Sequence, residues 1–154
     1  MMKSIPVWKQ ELSDGVHAAR LASLYCCAPA ETASEAARYA AVLDGLEKTF
    51  GSHAEAGLYS APGRTEIGGN HTDHQHGRVL AGSVNIDMIA AAAPNDKNQL
   101  RVQSEGYDLC VIDLNDLEAR KEEENTTASL LRGECAAFTP VSYTHLTLPT
   151  NREV

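Results

Sequence analysis

The sequence predicts an α+β fold, with helices at the N-terminus, then a mostly antiparallel sheet and a packing helix. Two observations carry this. Helical spacing of apolar residues is confined to the first 50 residues and to Thr126–Phe138, and the interval between them holds strand-like runs punctuated by turn residues. The order is helices, strands, helix, not the regular alternation of a parallel βαβ sheet. No internal repeat interrupts it.

The first helix is expected over residues 13–26, where Val16, Ala19, Leu21 and Leu24 fall near helical spacing and Ser13 is a candidate N-cap. A second is expected from Ser34 to Phe50, with Ala36, Ala37, Ala40, Leu43 and Leu46 as its apolar stripe, Val42 at the margin and Gly51 as its stop. Thr32 followed by Glu35 has the capping-box pattern, which allows a slightly earlier start. Leu58 to Ile67 then reads as a strand broken by Pro62-Gly63, followed by a loop rich in glycine and histidine. Val79 to Ala92 is a long strand placing Val84, Ile86, Met88 and Ala90 on one face. Pro94-Asn95-Asp96 is a turn. Leu100–Ser104 and Leu109–Leu114 are shorter strands joined at Glu105-Gly106. Thr126–Phe138 is a helix with leucines and alanines inward.

Composition narrows the classes of function. The 154 residues include 43% apolar side chains, enough for a core, but only 5% aromatic ones, and much of the rest is alanine, which buries little surface. A net charge of −8 argues against nucleic-acid and anionic-membrane surfaces, which need clustered Lys and Arg. The one dense charge run, Lys121–Glu124, is expected to be a solvated face. Cys26, Cys27, Cys110 and Cys135 form no C-x-x-C pair and suit a reducing cytosol better than a disulfide framework. Met1–Gly15 carries four charges and no apolar core, so it is not a signal peptide, and Ile86–Ala93 is too short to span a bilayer.

The chemistry concentrates in Ser60-Ala61-Pro62-Gly63-Arg64-Thr65-Glu66-Ile67-Gly68-Gly69-Asn70-His71-Thr72-Asp73-His74-Gln75-His76-Gly77. Pro62-Gly63 gives a tight turn. Arg64 presents a permanently charged fork suited to phosphate or carboxylate. Gly68-Gly69 lets backbone approach a small ligand. Asn70, His71, Thr72 and Asp73 line up short hydrogen-bonding groups, as a polyhydroxylated ligand requires. Taken singly, Arg64 could be a surface ion-pair residue and Asp73 an Asx turn cap. His71, His74 and His76 with Asp73 could form a zinc or nickel site, but no distant Cys/His pair completes it. The specificity lies in the ordered run.

That run resembles the galactokinase signature: a Pro-Gly-Arg turn, glycine, an acidic residue, His-Thr-Asp, then a later glycine. The resemblance extends to Val79–Asn95 as the following strand and Thr126–Phe138 as the next helix, about the first third of a family member. It implies residues 1–140 as the incomplete first domain of a two-domain cytoplasmic sugar kinase, using ATP and Mg2+ to phosphorylate galactose at its anomeric hydroxyl, giving galactose 1-phosphate. It further implies that Arg64 stabilises charge on the transferred phosphate, that Asp73 and His71 hold sugar hydroxyls, and that Gly69 lies beside them. Asn70 stands where most members have glutamate; it keeps one acceptor oxygen, gains donors and loses the charge.

The family's Gly/Ser-rich phosphate loop and the catalytic aspartate beyond it have no counterpart, and Glu66, Asp87 and Asp113 lack the context to replace that aspartate. The expectation is a truncated kinase holding half a sugar site, inactive alone, with a non-catalytic sugar sensor as the rival. Such a piece would leave the Val79–Ala92 strand with an unpaired edge or an uncovered face. Residues 141–154 resemble a translated sequencing adapter, so the authentic protein is expected to end near Pro140.

Overall fold

Ile5, Trp8 and Leu12 fall at i, i+3 and i+7, and this spacing builds a helix that the reading of Met1–Gly15 as lacking an apolar core had left out. In the computed structural model, which describes residues 1–69 and 76–138, strand β1 (Met2–Lys3) leads into α1 (Ile5–Ser13), whose three apolar residues are all buried. Pro6 in its first turn costs no hydrogen bond, because the first amides of a helix have no partner within it. Ser13 is therefore the last residue of α1 and not an N-cap. Gly15 in the left-handed region ends the turn, and α2 (Ala18–Tyr25) follows. It buries Leu21, Ala22 and Tyr25, while Val16 and Leu24 lie exposed.

Helix α3 (Ala33–Phe50) ends as expected at Gly51, whose amide donates to the Glu47 carbonyl. Its buried stripe is Tyr39, Leu43 and Leu46, with Ala36 and Ala40 at the edges and Ala37 exposed. Thr32 does not form the expected capping box: its hydroxyl donates to the Pro29 carbonyl (2.8 Å), while the Ala28 amide donates to the Glu31 carboxylate (3.0 Å). These helices pack on a three-stranded antiparallel sheet, β1–β2–β3, with β2 at Ala56–Gly68 and β3 at Leu80–Ala92. The Trp8 indole N–H donates to the buried Ala56 carbonyl at 2.8 Å and fixes α1 to the start of β2.

Pro62-Gly63 does not end β2. The ladder shifts register there, between Pro62 opposite Asp87 and Arg64 opposite Ser83, so that one residue of β2 faces three of β3. Proline has no amide to give a ladder, which makes this the natural place for the irregularity. Leu58, Ser60 and Pro62 share the helix-facing side with Ala91, Ile89 and Asp87, and Tyr59 and Ala61 share the other side with Ala90 and Met88. The apolar row Ile86, Met88 and Ala90 therefore points away from the helices, with Ile86 76% and Met88 78% exposed. Among the described residues, β3 pairs with β2 alone.

The compact units divide at Pro94/Asn95. Asn95 forms the expected turn, its side chain accepting from the Lys97 amide and donating to the Gln99 carbonyl. In the second unit β4 (Gln99–Val102) and β5 (Cys110–Asp113) pair antiparallel. Glu105-Gly106 occupy the centre of the predicted turn, with the Tyr107 amide bonded to the Ser104 carbonyl. Helix α4 (Thr127–Phe138) packs on β5, where Ile112 is buried. Its most buried residue is Arg132 (5% exposed), not a leucine, and Leu130 is exposed. Arg132 grips Glu123 with two hydrogen bonds and donates to the Asp116 carbonyl. The run Lys121–Glu124 is thus not simply a solvated face, since Glu123 is held inward and its carboxyl lies below the usual range. The segment 141–154 lies outside the described residues.

Candidate functional site

Of the signature segment, residues 60–68 form the second half of β2, and Gly69 follows directly. Arg64 sits just past the register shift, on the exposed part of β2, with its side chain 74% exposed. Its recorded partner is Glu66, two residues along and on the same side of the strand, at 3.4 Å. In water an ion pair this exposed contributes at most about 1 kcal/mol, so it does not commit the guanidinium. Gly63 permits the strands to close at the shift: a Cβ there would lie 3.0 Å from Val84 Cγ2 and 3.1 Å from the Ile86 carbonyl oxygen.

Gly69 closes the loop that follows. Its φ is +81°, a region that side chains disfavour, and a Cβ on it would stand 2.1 Å from the Arg78 carbonyl oxygen and 2.9 Å from Val79 Cα. The incoming and outgoing backbones of the loop meet at this residue. Glycine is required there by contact as well as by conformation. Asn70, His71 and Asp73 lie outside the described residues, as do Thr72 and His74. His76 is exposed with φ +60°. Of the five candidate sugar and phosphate residues, the structure therefore places Arg64 and Gly69, on one strand and its immediate continuation.

Asp87, weighed in the sequence only as a stand-in for the catalytic aspartate, has a different place in the structure. Its side chain is only 3% exposed. It accepts hydrogen bonds from the Tyr25 hydroxyl (2.6 Å), from Arg38 Nη2 (2.9 Å) and from the Ser60 hydroxyl. Because Tyr25 gives its one proton to Asp87, the Tyr39 hydroxyl 3.1 Å away donates to Tyr25. Burial pushes the Asp87 carboxyl upward, but the hydrogen bonds from Ser60, Tyr25 and Arg38 outweigh it and hold the group below the usual carboxylate range. Burial, reinforced by the carboxylate, raises the Tyr25 phenol well above its ordinary value. The lone acidic residue of β3, set between Ile86 and Met88, was the available signal.

Among the described residues no group of three or more His, Cys, Asp or Glu side chains could hold a metal ion. The four α-helices among the described residues begin after Ser4, His17, Thr32 and Thr126, and none of them follows a glycine-rich loop. The described residues thus do not fit the phosphates of a nucleotide, which need successive backbone amides converging at a helix start. No described helix is long and apolar enough to cross a membrane.

The hairpin lies within a segment that resembles known proteins. Residues 46–94 match the galactokinase galactose-binding signature, about a third of the chain, running from the end of α3 through β3. The galactokinase of Ligilactobacillus salivarius (strain UCC118) is 35% identical over 83 residues, covering 52% of this chain and 21% of that protein. The galactokinase of Lacticaseibacillus casei is 33% identical over 66 residues, covering 43% of this chain and 17% of its own length. That of Streptococcus suis (strain 05ZYH33) is 34% identical over 71 residues, covering 44% and 18%. The chain spans about a fifth of the length of these curated relatives. No solved structure matches it. The likeness to galactokinases is shown, and the matched segment carries it.

Proposed function

We propose that this chain carries the galactose-binding portion of a galactokinase. In the whole enzyme this portion would present galactose for phosphorylation at its anomeric hydroxyl, with ATP and Mg2+ bound largely by elements not found among the described residues. The observation that carries the reading is the coincidence of the matched signature, residues 46–94, with the β2–β3 hairpin and its tightly closed loop. In this reading Asp73 accepts from sugar hydroxyls, His71 and Asn70 complete the hydrogen bonding, and Gly69 brings backbone against the ring. Arg64, exposed and uncommitted, faces the phosphate and offsets charge that builds up on it. The reading places the protein in the cytoplasm.

The test is a ligand-observed NMR titration of the 154-residue chain with galactose, beside glucose and zinc ion. The expected result is saturable galactose binding that weakens about tenfold or more in Asp73→Ala, the scale of losing a charged hydrogen-bond partner. Galactose binding that survives Asp73→Ala unchanged would sink the reading. Zinc binding that competes with galactose and depends on His71 and His74 would replace it with a metal site.

A further inference from the structure

The carboxylate of Asp87 joins four elements at one point. Its donors come from α2 (Tyr25), α3 (Arg38) and β2 (Ser60), and it stands on β3 itself. Pro62 lies directly opposite it, and the ladder loses register immediately afterwards, one residue before Arg64. The last rung before the shift is therefore the one fastened to the helices.

Stability alone does not explain a charge there. A buried ion pair is often matched or surpassed by well-packed apolar side chains of similar volume. What the carboxylate adds is direction, because three donors from fixed elements converge on two oxygens. Without it, the apolar neighbours discriminate poorly between registers. A two-residue slip of β3 would bring Asn85 or Ile89 to the same place on the same face, and neither offers two acceptor oxygens to the three donors.

We propose that Asp87 is a positioning residue of the sugar site: by tying β2 at Ser60 and β3 to helices α2 and α3, it fixes where the hairpin leaves register and hence where Arg64 and Gly69 are presented. The inference rests on the galactose reading for its consequence in binding, but not for its structural half. Asp87 touches neither sugar nor phosphate in this account; it acts through Ser60 and the strand.

The experiment compares Asp87→Asn, Ser60→Ala, Ser60→Thr and a core control, Leu43→Ala, in the 154-residue chain. Two quantities are read: galactose affinity by NMR titration, and hydrogen exchange at the amides of Ser60, Ala61, Gly63 and Arg64. Asp87→Asn is expected to weaken galactose about tenfold, as a displaced binding group does, and to lose protection at those amides while α1 and α3 keep theirs. Leu43→Ala is expected to lower protection throughout the first unit and leave the affinity of the folded protein unchanged. Should Asp87→Asn fail to fold, Ser60→Ala removes one donor only and is expected to show the same local pattern more weakly, with Ser60→Thr restoring it. The proposal is overturned if Asp87→Asn, or in its absence Ser60→Ala, retains wild-type affinity and loses protection uniformly, as the core control does. If the wild-type chain binds no galactose, the sugar reading fails separately and the exchange pattern alone decides whether Asp87 positions the hairpin.

Discussion

The two sides of the β2–β3 sheet are made from the same strands yet live in different surroundings. One side lies under α1, α2 and α3 and carries Leu58, Ser60, Asp87, Ile89 and Ala91; the other carries Tyr59, Ile86, Met88 and Ala90 and is exposed. The more polar side is the covered one. Burial here follows the placement of partners, not the hydrophobicity of the strand. Tyr25, Arg38 and Ser60 give a carboxylate enough donors to leave water, whereas Ile86 and Met88 stay largely exposed.

The largest contrast between the sides should appear on truncation. Leu43 is fully buried between the helices and the sheet, and Leu43→Ala should cost about 2–5 kcal/mol through lost transfer energy and a cavity. Met88→Ala, on the other side, should cost less than about 0.5 kcal/mol. Urea denaturation of both variants checks this, and a Met88 variant as damaging as the Leu43 one would mean the outer side is covered in solution. A second perturbation of the helix side is Trp8→Phe, which keeps most of the ring but strands the buried Ala56 carbonyl. The expected loss is about 1–3 kcal/mol, the cost of a buried acceptor left without its donor. A neutral result would mean that α1 is held to β2 by packing alone.

Much of this arrangement is legible from residues close in sequence. Gly51 marks the end of α3 and Glu105-Gly106 the turn between β4 and β5, whereas the Pro62-Gly63 expected to break a strand lies within continuous β2. What escaped depends on partners far along the chain. Ser13 looks like a helix start until Ile5, Trp8 and Leu12 are seen to form one stripe with the sheet as its target. Asp87 looks like an accident within an apolar run, because its donors lie 27, 49 and 62 residues away. Glu123 belongs to a charge run by composition and to Arg132 by geometry. In the site itself, the steric demand at Gly69 is set by Arg78 across the loop, which no local pattern reveals.

Acid should separate the sides next. A carboxyl held below its usual range contributes stability that is present above the unfolded value of about 4 and is lost as pH falls through the folded value. Stability attributable to Asp87 should thus be constant from neutral pH down to about 4 and decline below it. Glu11, Asp116 and Glu123 are also depressed by their cationic partners and decline in the same window. The informative quantity is therefore the difference between wild type and Asp87→Asn, measured by thermal melts from pH 7 to pH 3. That difference should shrink on acidification; a constant difference would mean that Asp87 is not charged in the folded chain.

The smallest effect on stability, and the most telling for the outer side, is expected from Ile86→Thr with Met88→Thr. Threonine has the β-branched shape that strands favour and replaces exposed apolar surface with a hydroxyl. Since both side chains already face water, unfolding free energy should move by less than about 0.5 kcal/mol. Self-association should respond far more, because an apolar face beside a strand edge is a template for pairing with another chain. Light scattering at rising concentration would show the double variant staying monomeric beyond the point where the wild type associates. A double variant that instead loses several kcal/mol would show that these residues pack against the protein itself, and the two sides of the sheet would no longer differ in the way their exposure indicates.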